Sequence, residues 1–153
     1  MLPLAHLFLS LIFWKIMSLY YSADIISLIL VILFGVLIDG DIVLLGSSHR
    51  ISPIHSTIPW IMLIIILFVL GIPYFWTPIA ALLHLFLDSL DWGIYAFYPL
   101  SKKIYGPKIL SKRSTLDPQK DPVEKFVKQY LSSSFLYAEI FLMIVTIITF
   151  TLL

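Results

Sequence analysis

Long apolar stretches divided by short polar breaks set the pattern of this chain. Positions 2–20 are apolar apart from His6, Ser10, Lys15 and Ser18, and predict a first helix. Ser22-Ala23-Asp24 reads as an N-cap for a second, over 25–38, which ends at Asp39-Gly40. Positions 39–56 form the longest polar break in the first hundred residues. A third helix is predicted over 57–70. Gly71-Ile72-Pro73 makes a tight turn into a fourth, which continues to about Trp92, where Gly93 and Pro99 break the pattern. The last helix is predicted to start near Pro122 and to become a membrane span over 133–153. No internal repeat interrupts this order.

Composition turns the pattern into a class. Of 153 residues 60% are hydrophobic and 12% charged, and the mean hydropathy is +1.01. Soluble domains run nearer 45–50% apolar and about 25% charged. A soluble fold of this size has no interior large enough to hide so much apolar surface, so the expected fold is an all-α, polytopic membrane bundle of about five transmembrane helices. It forms one domain, with a core over 1–100, a basic loop over 101–128 and a C-terminal span. The N-terminus lacks a basic region and a small-residue cleavage site, and reads as a retained membrane helix. A net charge of +1 suggests no nucleic-acid partner, and with no cysteine any metal is left to imidazole and carboxylate.

Eight of the ten Lys and Arg lie between positions 101 and 128, which places that loop in the cytoplasm by the positive-inside rule. Counting spans back places the N-terminus on the same side of the cell membrane. The 39–56 segment, His6, His84 and Asp88 then fall at one face, whichever way the protein is oriented. From Asp24 to Asp39, and from Pro73 to Asp88, is 15 residues. That is a helical rise of roughly 22 Å against a hydrocarbon core of about 30 Å, so these groups are expected at headgroup or upper acyl depth.

The polar residues at that face are chemically selective. His84 and Asp88 stand at i and i+4 on one helix face, a spacing that suits two ligands of one cation, a ligand with its supporting acceptor, or a structural hydrogen bond. Asp39-Gly40-Asp41 offers two carboxylates past a helix end, or simply ends the helix. His49 and His55 flank Arg50 in the break. Ionisable groups inside membrane segments are costly and mark function. Glu139, the single charge of the final span, lies at nearly the same counted depth as His6, Asp39, His55 and Asp88. It is expected to face them as an extra ligand, a supporting acceptor or the partner of Arg50.

The order Ala5-His6-Leu7, Asp39-Gly40-Asp41, His49-Arg50, His55-Ser56 and His84 to Asp88 resembles the membrane-bound metal-dependent hydrolases of the YdjM type, themselves thought to be distantly similar to zinc-dependent phospholipase C. The pattern departs from theirs at Ile38 and Ile42, where a Pro and a His are missing. An extra residue also stands between His49 and His55. The resemblance implies His6, Asp39, Asp41, His55, His84 and Asp88 as metal residues, with His49 a further candidate where the motif departs, and a hydrolytic reaction.

The function expected is a membrane-embedded, metal-dependent hydrolase acting on a phosphoester of a lipid or other membrane-associated substrate. The ion would be Zn²⁺, with Mn²⁺ or Fe²⁺ as alternatives, in one or two copies. A metal-activated water would attack, Asp41 or Asp88 would be the base, and Arg50 would hold phosphate. The rival readings are a metal-binding or metal-transport membrane protein without catalysis, and a small structural or regulatory subunit.

Overall fold

The computed structural model describes residues 3–41, 52–91, 93–106 and 134–153. The fold is all-helical: α1 (Pro3–Met17), α2 (Ile25–Val36), α3 (Thr57–Val69), α4 (Ile79–Asp91) and α5 (Ser134–Leu152), with 3₁₀ turns at Leu37–Asp41 and Pro53–His55. No strand occurs among the described residues, only an isolated antiparallel bridge between Ile94 and Tyr105. His49, Arg50, the Asp41 side chain, the proposed helix start at Pro122 and the basic loop from position 107 onward lie outside the described residues.

Helix α1 is the hub, packing against α2, α4 and α5; α2 also packs on α4, and α3 on α4. Among the described residues the core has two parts. Val31, Trp76 and Ala80 are enclosed by Phe13, Trp14, Met17, Phe34, Phe75 and Ile79. Leu85, Ile94 and Ala96 are packed by Trp60 and Tyr105. Between α1 and α2 the helices approach closely at Gly35, where an added Cβ would collide with the Ser10 hydroxyl.

Among the described residues no helix is long and apolar enough to cross a membrane. The first four have 15, 12, 13 and 13 residues, rising about 18–22 Å. Their outer surfaces are nevertheless apolar. No residue of α3 is buried, and Ile61, Met62, Ile65, Ile66, Phe68 and Val69 are all exposed.

The fourth helix differs from expectation. It begins at Ile79 rather than at the Gly71–Pro73 turn, and residues 73–78 form successive turns. Pro78 disfavours helical backbone at Thr77, whose hydroxyl instead closes a local turn on the Tyr74 carbonyl at 2.9 Å. The counted rise from Pro73 to Asp88 therefore does not hold: the helical part from Ile79 is only about 14 Å.

The same turns deliver Tyr74 to the start of α2, where its hydroxyl donates to Asp24 Oδ2 at 2.6 Å. Asp24 also caps α2 reciprocally, accepting from the Ser27 amide at 2.8 Å while its own amide donates to Ser27 Oγ at 3.1 Å. The Tyr74 bond, then the cap, hold the Asp24 carboxyl below its ordinary value, and the carboxylate in turn raises the Tyr74 phenol. Lys15, near the same end of the bundle, lies over the Phe150 ring.

Candidate metal centre

The polar cluster is assembled from four separate pieces of chain. Asp39 comes from the 3₁₀ turn that follows α2. Tightening from α to 3₁₀ changes the advance per residue; here it buries Ile38 and leaves Asp39 at the edge of the bundle. His55 ends a second short 3₁₀ turn, whose Ser52 cap accepts from the His55 amide and whose first position is Pro53. Two further bonds hold that turn: Ser56 Oγ to the Pro53 carbonyl at 2.9 Å, and Trp60 Nε1 to the Ile54 carbonyl at 2.8 Å. His84 and Asp88 project from one face of α4, whose end is closed by the Gly93 amide donating to the Asp88 carbonyl at 3.2 Å. His6 arrives from α1.

Donor atoms of Asp39, His55, His84 and Asp88 all lie within 4.8 Å of one another, and these residues could hold a metal ion. Asp39 Oδ1 is 3.3 Å from His55 Nε2 and 3.4 Å from His84 Nε2; His84 Nε2 is 3.5 Å from Asp88 Oδ2. The second oxygen of Asp88, Oδ1, is 3.5 Å from His6 Nε2. The groups thus alternate, imidazole and carboxylate, in the order His55, Asp39, His84, Asp88, His6. The His6 and His84 rings stack, with centroids 3.9 Å apart.

The tautomer of His84 is set from behind. Its Nδ1–H donates to the Gly35 carbonyl at 2.9 Å, so in the neutral ring Nε2 carries a lone pair. That lone pair faces two carboxylate oxygens and has no hydrogen-bond partner. Acceptor facing acceptor in a buried site is repulsive unless a metal ion stands between them or the ring takes up a second proton and donates to a carboxylate. The separations also suit an ion: ligand bonds of about 2.0–2.1 Å in tetrahedral zinc put neighbouring donors about 3.3–3.4 Å apart. A histidine whose other nitrogen is held by a backbone carbonyl is also the usual arrangement of a metal-bound imidazole. His55 is held similarly, with Ser52 Oγ 3.5 Å from its Nδ1.

Access to the cluster is lopsided. The His84 and His55 side chains are 0% and 1% exposed and that of Asp88 4%, whereas that of Asp39 is 30% exposed.

His6, Asp39, His55, His84 and Asp88 are therefore neighbours. His6 stands beside Asp88, outside the four-donor group. Glu139 is buried on α5, and it too is outside the group. Sequence reasoning overlooked the supporting residues Gly35 and Ser52. Ser52 was visible as a possible cap three positions before His55; Gly35 carried no signal of its own. No protein-family model matches the chain, and comparison with curated proteins and with solved structures finds no match.

Proposed function

We propose that the protein is a membrane-embedded, metal-dependent hydrolase acting on a phosphoester of a lipid or other membrane-associated substrate. The observation that carries the metal part is the position of His84 Nε2, 3.4 Å and 3.5 Å from oxygens of two carboxylates, with the ring held from behind by the Gly35 carbonyl. Two imidazoles and two carboxylates without sulfur favour Zn²⁺, then Mn²⁺ or Fe²⁺. A divalent ion there would supply a bound water of lowered pKa, the nucleophile of a hydrolysis. Asp39, His55, His84 and Asp88 are the donors, and His6 holds the far oxygen of Asp88. Asp41 would accept the proton of the attacking water, or Asp88 in place of its ligand role, and Arg50 would hold a phosphate oxygen. The motif order that resembles YdjM-type hydrolases supports the reaction class.

The membrane part rests on the apolar outer surface. Apolar patches larger than a few hundred Å² mark contact with lipid or protein, and α3 has no buried residue and six exposed apolar ones between Ile61 and Val69. Helices shorter than a hydrocarbon core leave a site near their ends at headgroup depth, which favours a lipid substrate. A transport path would need donors continuing toward the opposite end. There, Asp24 is engaged by Tyr74 and Lys15 by the Phe150 ring.

Metal analysis of detergent-purified protein, followed by assay against a panel of phospholipids and lipid phosphates, tests the function. The expected result is one or two ions per chain, removed by chelator, with phosphoester cleavage lost and restored in step. Sub-stoichiometric metal indifferent to chelator would overturn it. Orientation is tested separately. The chain has no cysteine, so single introduced cysteines report sidedness cleanly. The N-terminus and the 101–128 loop should label from the cytoplasm and the C-terminus from outside; external labelling of the loop would reverse the assignment.

A further inference from the structure

Three small residues meet where α1, α2 and α4 come together. The Cβ position of Gly35 on α2 falls against Ser10 of α1 and 3.6 Å from the Ala80 Cβ of α4, and all three residues are buried. Each stands four positions from a group of the polar cluster on its own segment: Ser10 from His6, Gly35 from Asp39, and Ala80 from His84. Four residues is about one helical turn, so this crossing lies roughly a turn away from the point where the three side chains converge. Gly35 also provides the carbonyl that accepts from His84 Nδ1.

We infer that Gly35 is a positioning residue of the metal centre: its missing side chain sets the spacing of α1, α2 and α4 at the crossing, while its carbonyl aims His84. The inference rests on the metal-site reading above. A Cβ at this position would overlap Ser10 Oγ and lie 3.0 Å from Ser10 Cβ. Rotating the hydroxyl relieves the first contact but not the second, so α1 and α2 must part by some tenths of an ångström. Ligand constellations tolerate only about 0.5 Å of misplacement, which makes the crossing and the centre mechanically one unit. Gly35 lies in the last turn of α2 with helical backbone, where Ala is otherwise at least as favourable as Gly, so any loss Gly35→Ala causes is steric.

The test measures Zn²⁺ affinity by chelator competition, and the visible spectrum of the Co²⁺-loaded protein, for wild type, Gly35→Ala, Ser10→Gly and the double variant. Gly35→Ala should bind zinc about 10–100-fold more weakly, the range for loss of a supporting partner, with an altered cobalt spectrum. Ser10→Gly in the same chain should restore both, because it removes the two atoms that the new methyl meets. Unchanged affinity and spectrum in Gly35→Ala, or a double variant no better than the single one, would overturn the inference. If Gly35→Ala alone does not fold, recovery of fold and metal together in the double variant supports it, and failure of the double variant overturns it. Wild-type protein that binds no zinc would instead remove the metal reading beneath it.

Discussion

His84→Ala should abolish most metal binding, a loss of more than about 100-fold, beyond the 10–100-fold typical of a supporting residue, while the protein remains folded in detergent. His84 is the middle member of the alternating chain of groups. Its Nε2 lies 3.4 Å from Asp39 Oδ1 and 3.5 Å from Asp88 Oδ2. Removing it leaves the two carboxylates with no imidazole between them. Asp88→Ala should act comparably, because it withdraws Oδ2 from His84 and Oδ1 from His6 together. The fold should survive because the larger apolar cluster, around Val31, Trp76 and Ala80, does not include these residues. Metal content by atomic spectroscopy, with helicity by circular dichroism, checks both halves. Full occupancy in both variants would show that the ion, if any, is held elsewhere.

The second large effect is on stability. Added Zn²⁺ at about a hundred times its dissociation constant should stabilise the folded state by about 2.7 kcal/mol, which for a chain of this size raises Tm by roughly 5–11 °C. Chelation should reverse the shift, and His84→Ala should show none. The measurement separates two physical pictures of the same coordinates. In one, an ion reconciles the facing acceptors. In the other, protonated imidazoles and carboxylates neutralise each other and the cluster is complete without metal. The second predicts a melting curve indifferent to both zinc and chelator.

Much of the cluster was legible because helical periodicity is rigid. His84 and Asp88 at i and i+4 had to share a face once 79–91 was helical, and helix parity alone brought His6, Asp39 and His55 to the same end. The turn at 73–78 was misread because Pro73 looked like a helix start. The restriction that Pro78 places on Thr77 was the stronger local signal, and it is what frees Tyr74 to reach Asp24 across 50 positions. Long-range partners of this kind leave no spacing to read. The Gly35 carbonyl behind His84 is another, since a backbone acceptor is the same in every residue and only the approach of two helices selects it. His6 was expected among the metal residues; its position on α1 was visible, but not that it would meet Asp88 Oδ1 outside the four-donor group.

The unequal exposure of the four donors has a kinetic consequence. His55, His84 and Asp88 are sealed, and Asp39 is the donor that opens to the outside, with Leu37 and Gly40 beside it also exposed. Under the hydrolase proposed above, an ion, a chelator and a substrate would then share this one opening among the described residues. Traffic through one door is mutually exclusive: a bound substrate or product slows loss of the ion, and chelator competes with substrate for entry rather than acting from a separate side. Inactivation by chelator should therefore slow as substrate concentration rises, following the same saturation that governs turnover.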